Sequence, residues 1–247
     1  MPHMKSLTVI LALLLCTSCI DHQSPQEILD AAIKAHGASG FDKYLVEFDF
    51  RKKHFTIDHR KGLNEYARTY VDDSLGMVTD HVSRDSVFRR ELNGEIVTVT
   101  QEEEREVEHE IESVVSFFQL PYGINAPSLS KEYVGKNIVN GQMYYKVKVL
   151  YEKRGVDHHH DTFVFWVHED KHTVDFLGYS YQGENGTGTR FRQAVHRQKI
   201  LGILFQDYIN YQTSDSTVAV ENLDELYETG HLERLSFIAK ENIRVIR

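Results

Sequence analysis

The Asn-Gly pairs Asn93-Gly94 and Asn140-Gly141 each sit between short runs rich in β-branched and aromatic residues. Such a pair supplies the left-handed backbone of a two-residue hairpin, so it commits its flanks to adjacent antiparallel strands. The pattern extends along the chain. Runs at Lys43 to Ile57, Leu63 to Val71, Gly76 to Arg84, Val87 to Leu92 and Glu95 to Thr100 precede a helical stretch. Lys131 to Val139, Gln142 to Glu152, Thr162 to His168, Thr173 to Gln182, Thr189 to Arg197 and Ile200 to Gln212 follow it. About eleven strands at short spacing describe a meandering antiparallel sheet and exclude alternating βαβ units.

Two helices interrupt this pattern. Ser24-Pro25-Gln26-Glu27 has the form of a capping box with proline at the first helical position, and Gly37 supplies a stop. The predicted helix covers 25–36, with Ile28, Leu29, Ala32 and Ile33 on its buried side. A second helix begins at the acidic run from Gln101 and ends before Pro121, with Val107, Ile111, Val114, Val115 and Phe118 at helical spacing. Its glutamates favour the positive end of the helix dipole and read as a solvated face. A short helix at 221–229 and one or two terminal strands complete the chain. No linker, repeat or low-complexity segment divides 25–247, so one α+β domain is expected.

The first residues have another character. Lys5 precedes an apolar stretch from Leu7 to Leu15, then small residues, then Cys19. The stretch is shorter than the ~20 residues a membrane-spanning helix needs and has the parts of a secretion signal. A signal ending on cysteine resembles the lipobox of bacterial lipoproteins, with Thr17 and Ser18 in the small positions, although Cys16 stands where such signals usually carry Leu or Val. The resemblance implies a signal peptide over 1–18, acyl chains such as palmitate on Cys19, and a tether over 19–24. An ordinary cleaved signal with an incidental cysteine is the alternative. Residence in the cell envelope is then expected, at the periplasmic face of the outer membrane, with the lipid as the membrane anchor. Cys16 and Cys19 are the two cysteines, so a processed, acylated chain has no disulfide and must hold together by packing. The net charge of −9, with no Lys/Arg-rich block, argues against nucleic acid as a partner.

Phe48-Asp-Phe-Arg51, Phe118-Gln-Leu-Pro-Tyr-Gly-Ile-Asn-Ala-Pro127, Tyr144-Tyr-Lys-Val-Lys-Val149 after Asn140-Gly141, Phe165-Trp-Val167 and Arg190-Phe-Arg192 together resemble an uncharacterised lipoprotein family common in Bacteroidota. That family carries no activity to transfer. In layout alone, the chain is similar to the half-barrel of the lipoprotein carriers LolA and LolB. This implies a single large curved sheet with the N-terminal and inserted helices on its concave face. It also implies an apolar surface able to hold an acyl chain or comparable ligand.

The residues allow such a surface and also allow a filled core. Alternation places Tyr145, Val147 and Val149 on one face of their strand, Phe163, Phe165 and Val167 on one face of the next, and Trp166 on the opposite side. A sheet apolar on both faces must be covered on both. Trp166, Tyr145 and Phe165 are candidate ligand-binding residues, with Arg190 and Arg192 on a shared face as candidates for a carboxylate or phosphate head group. Asp157-His-His-His-Asp161 is the sharpest polar cluster, reading either as a solvated hairpin tip or as a divalent-metal site built on Asp157, His159 and Asp161. Gly183-Glu-Asn-Gly-Thr-Gly188 lacks the following helix that phosphate binding requires and reads as a turn. No complete catalytic set is present, so no catalytic residue is assigned and no cofactor is expected beyond the possible metal. A monomeric binding protein is the expectation, against a metal-dependent hydrolase or a purely structural envelope module.

Overall fold

The computed structural model describes residues 24–83, 88–152, 160–183, 186–215 and 217–247, without the side chains of 152, 160, 161, 182, 183, 186 and 187. After helix α1 (Pro25–His36) come β1 (Leu45–Phe50), β2 (Lys53–Asp58), β3 (Glu65–Asp72), β4 (Gly76–Ser83), β5 (Arg89–Leu92) and β6 (Glu95–Val97). Helix α2 (Gln101–Gln119) leads to β7 (Ser130–Val139), β8 (Gln142–Glu152), β9 (His160–His168), β10 (Val174–Gly183), β11 (Gly186–Ile200) and β12 (Ile203–Gln212). Helix α3 (Leu223–Glu228), β13 (Glu233–Ile238) and β14 (Glu241–Ile246) close the chain.

The strands form two antiparallel sheets, ordered β14-β1-β2-β3-β4-β5-β6 and β13-β12-β11-β10-β9-β8-β7, and neither closes into a barrel. The single expected sheet is therefore divided. Consecutive strands β13 and β14 lie on edges of different sheets, so the link at 239–240 is a seam between them. Helix α2 joins β6 to β7, the opposite outer edges. The chain thus passes between sheets twice, once along the seam and once through α2.

One more strand forms among these runs than expected, because one hairpin turn lies inside a run that reads as continuous. Asn93-Gly94 (φ 53° and 88°) and Asn140-Gly141 (φ 50° and 71°) turn as their residue types dictate. Arg51-Lys52 (φ 48° and 63°) makes the same left-handed pair with neither glycine nor asparagine, splitting Lys43 to Ile57 into β1 and β2. Leu201-Gly202 (φ 45° and 91°) makes the turn between β11 and β12, two strands that the sequence already separates.

Helix α1 buries Ile28, Leu29 and Ala32 against Val147, Val149, Phe165 and Leu177 of the second sheet. Ser24 stands at its N-cap, but no side-chain capping bond forms, so only the proline half of the expected start signal operates. At its other end Gly37 adopts φ 61°, and a Cβ there would meet the Gly202 carbonyl oxygen at 2.1 Å. Backbone conformation and close approach both require glycine at this position. The opposite face of the second sheet is covered too: Trp166, Phe176 and Phe191 pack against Val220 and Leu223 beside α3.

Helix α2 buries Val107, Ile111, Val115 and Phe118 against Val46, Phe48, Phe55 and Ile57 of the first sheet and Phe205 of the second. Thr100 caps it by accepting from the Glu103 backbone N–H at 3.2 Å. Its acidic run is not wholly solvated. Fully buried Asp80 on β4 accepts from Arg68 Nη2 at 2.7 Å and Arg90 Nε at 2.6 Å. Arg68 also reaches Glu110 at 2.5 Å and Arg90 reaches Glu103, tying two turns of α2 to the sheet. Each buried guanidinium thereby meets two carboxylates, which compensates its loss of water.

Asp80→Asn leaves both buried guanidinium groups without their central partner. The expected loss of stability is about 3 kcal/mol or more, read as a lower urea midpoint. A loss below about 1 kcal/mol, the scale of an exposed ion pair, would contradict this assignment.

Candidate functional site

Phe117 and Phe118 are adjacent on α2 and point about 100° apart around the helix, which has 3.6 residues per turn. Phe118 stacks on Phe48 with centroids 3.6 Å apart and enters the core. Phe117 instead faces the second sheet, with its ring 5.0 Å from Tyr179 and 5.8 Å from Phe163. Between these contacts lies a cavity of about 440 Å³. Its walls are Val114, Phe117 and Phe118 of α2, Phe48 and Phe50 of β1, Phe163 of β9, Tyr179 and Tyr181 of β10, and Ile238 at the end of β13. Exposed Arg51, His109 and Ser113 stand at its rim.

The floor is cationic. Arg190 and Arg192 project from β11 into the cavity, two residues apart on one face. Each reaches a tyrosine diagonally across the β10–β11 ladder: Arg192 Nη2 donates to Tyr179 Oη at 2.8 Å and Arg190 Nη2 to Tyr181 Oη at 2.7 Å. Gly188 faces Tyr181 in the ladder and makes room for that ring, since a Cβ there would lie 2.5 Å from its hydroxyl. The Arg192 guanidinium lies 3.9 Å from the Phe117 ring centroid and 5.0 Å from that of Tyr179. Arg192 is 8% exposed, and its Nε has no hydrogen-bond partner among the described residues. Burial pushes its pKa below the ordinary guanidinium value.

Lys240 completes the floor from the seam between the sheets. Its Nζ donates to the Gln206 carbonyl and stands 4.5 Å from the Tyr208 ring centroid. Desolvation pushes its pKa down to about 7, with Asp207 acting to raise it and Arg192 to lower it. Tyr208 is buried beside it, its hydroxyl accepting from Gln206 Nε2 at 2.9 Å, and burial raises its pKa. No carboxylate lines the cavity among the described residues, although the chain as a whole carries a net charge of −9. An apolar wall over a floor that holds two arginines and no described carboxylate suits a molecule with an apolar body and an acceptor at one end.

Arg190 and Arg192 share a strand face, as alternation gives, and both line the cavity. Trp166 is on the other face of the sheet, edge-on to Phe191 at 5.2 Å. Tyr145 and Phe165 belong to the core under α1. None of these three lines the cavity. Asp157 and His159 lie outside the described residues, as does the side chain of Asp161, whose backbone pairs with Tyr151. Among the described residues no three His, Cys, Asp or Glu side chains are grouped as a metal site. Gly183 pairs with Gly186 at the end of the β10–β11 ladder, and Glu184 and Asn185 lie outside the described residues. Cys19 also lies outside the described residues, and no described helix is long and apolar enough to cross a membrane. Phe117, Tyr179, Tyr181 and Lys240 are the site residues that sequence reasoning missed. Alternation of Tyr179 and Tyr181 on a strand next to Arg190 and Arg192 is the signal that would have found two of them.

Residues 5–240 match the profile of a family of unknown function (DUF6503), and the chain belongs to that family. A comparison with curated proteins gives no match. Among solved structures, the chain is similar to a LolA superfamily protein from Nitrosomonas europaea, with a TM-score of 0.44 and 11% identity over 91% of this chain and 94% of that one. It is similar to a DUF1329 family protein from Desulfovibrio piger, with a TM-score of 0.39 and 12% identity over 90% and 93%. It is also similar to the lipoprotein LppX from Mycobacterium tuberculosis, with a TM-score of 0.31 and 10% identity over 80% and 100%. Likeness at this level bears on neither ligand nor partner.

Proposed function

We propose that this protein binds an apolar, acyl-chain-like ligand in the cavity between α2 and the two sheets and performs no chemistry on it. The observation that carries this reading is the cavity itself, about 440 Å³ in volume and walled by Phe48, Phe50, Phe117, Phe163 and Ile238. Small-molecule sites typically occupy ~300–1,000 Å³ and are mostly apolar with a few placed polar groups. A core helix packed for stability alone would fill this space, because interiors approach crystal density.

A neutral fluorescent probe, N-phenyl-1-naphthylamine, tests the reading without relying on charge. Saturable binding at about micromolar Kd is expected. Ser113→Trp, an exposed change at the rim, should weaken it about tenfold by occupying the mouth. Absence of saturable binding, or binding indifferent to Ser113→Trp, would remove the ligand-carrier reading.

We further propose that the chain is held at the cell envelope by acylation of Cys19, at the periplasmic face of the outer membrane, since the segment ending at Cys19 has the parts of a lipoprotein signal. Metabolic labelling with an alkyne palmitate analogue should mark the wild type and not Cys19→Ala. Equal label on both, or on neither, would refute the anchor.

A further inference from the structure

We infer that the cavity selects amphiphiles with an oxyanion at one end, a carboxylate or a phosphate, and that Arg192 is the residue that binds it. The inference rests on the proposed apolar ligand and adds the chemical class of its head group. Three observations carry it. Arg192 is 8% exposed, faces the cavity and has an Nε without a hydrogen-bond partner among the described residues. Its contacts are a neutral phenol at 2.8 Å and two aromatic rings, with no ion pair to a described carboxylate. Arg190 lines the same cavity and adds positive charge, and no carboxylate lines it among the described residues.

The same molecule shows how it treats buried arginines that serve the fold alone. Arg68 and Arg90 are each paired with Asp80 and with a glutamate of α2. Arg192 has no such partners among the described residues. A guanidinium keeps its charge in proteins and can donate five hydrogen bonds. Cation–π contacts with Phe117 and Tyr179 offset only part of its lost hydration. Folding has therefore already desolvated the cation, and an arriving oxyanion gains attraction in a low-dielectric site without that cost being incurred again. A neutral head group gains much less. Phe117 lies over the guanidinium and Phe163 lies beside Phe117, so the chain of such a ligand would continue from the arginine into the aromatic wall.

The test compares dodecanoate, dodecyl phosphate and dodecanol as displacers of N-phenyl-1-naphthylamine, in wild type and Arg192→Met. In wild type at least one anion should bind about tenfold or more tightly than the alcohol. Whichever anion binds more tightly identifies the head group as carboxylate or phosphate. Arg192→Met should bring the ratio of anion to dodecanol affinity, read within that variant, to about one, and its urea midpoint should not fall, because a buried charge without an ion-pair partner has been removed. Equal affinity for anions and alcohol in wild type would overturn the inference while leaving the apolar-ligand reading intact. Failure of the neutral probe to bind would sink that reading instead. An anion preference that survives in Arg192→Met would also overturn the assignment. If that variant does not fold, Arg190→Met supplies the second arm: a partial loss of preference supports an arginine floor, and no loss contradicts it.

Discussion

The stack of Phe118 on Phe48, with ring centroids 3.6 Å apart and planes 6° from parallel, is the contact on which the rest of the architecture depends. Phe118 also lies 5.5 Å from Phe205 of the second sheet, so one side chain of α2 touches both sheets. Fixing Phe118 fixes the rotation of the helix. Phe117 is then carried over Arg192, and Val114 and Ser113, one turn earlier, are carried to the cavity. The cavity is thus a consequence of core packing: α2 is held on one side and cannot fill the space on the other.

Electrostatics holds the same helix in place from its outer side. The Arg68–Asp80–Arg90 cluster ends in Glu110 and Glu103 of α2, an arrangement in which every buried charge has a counter-charge. A helix of 19 residues with an acidic first turn gains from its dipole only at that turn, so the two arginines supply what the dipole does not. The contrast with Arg192 separates structural from functional burial of charge. Two arginines sit in closed networks, and a third lines the cavity with its Nε unpaired among the described residues.

Much of this was legible in the sequence where local chemistry decides the outcome. Asn93-Gly94 and Asn140-Gly141 fixed their hairpins because left-handed backbone is easy for those residue types. Helix α1 followed from Pro25 and Gly37, and the shared face of Arg190 and Arg192 from strand alternation. The Arg51-Lys52 turn was illegible because neither residue type prefers the left-handed conformation it adopts; tertiary pairing of β1 with β2 imposes it. Division into two sheets depends on pairings such as Leu45 with Ile246, which no local pattern encodes. The glutamates of α2 read as solvated because their partners lie on strands far back in the chain. Phe117 was hidden by Phe118, which belongs to the helical series that fills the core. Lys240 enters the site only because the seam between β13 and β14 passes there.

In the proposed complex a ligand oxyanion sits against the guanidinium of Arg192, which has no ion-pair partner among the described residues. Carbon-13 NMR of carboxyl-labelled dodecanoate bound to the protein, followed over roughly pH 4 to 9, tests it directly, because an arginine partner lowers a carboxyl pKa by about 1 to 3. The account predicts that the bound carboxylate stays ionised to lower pH than free dodecanoate and that Arg192→Met reverses the sign of the shift. A bound carboxyl that takes up its proton at higher pH than the free acid, as burial in apolar surroundings alone would cause, would contradict it.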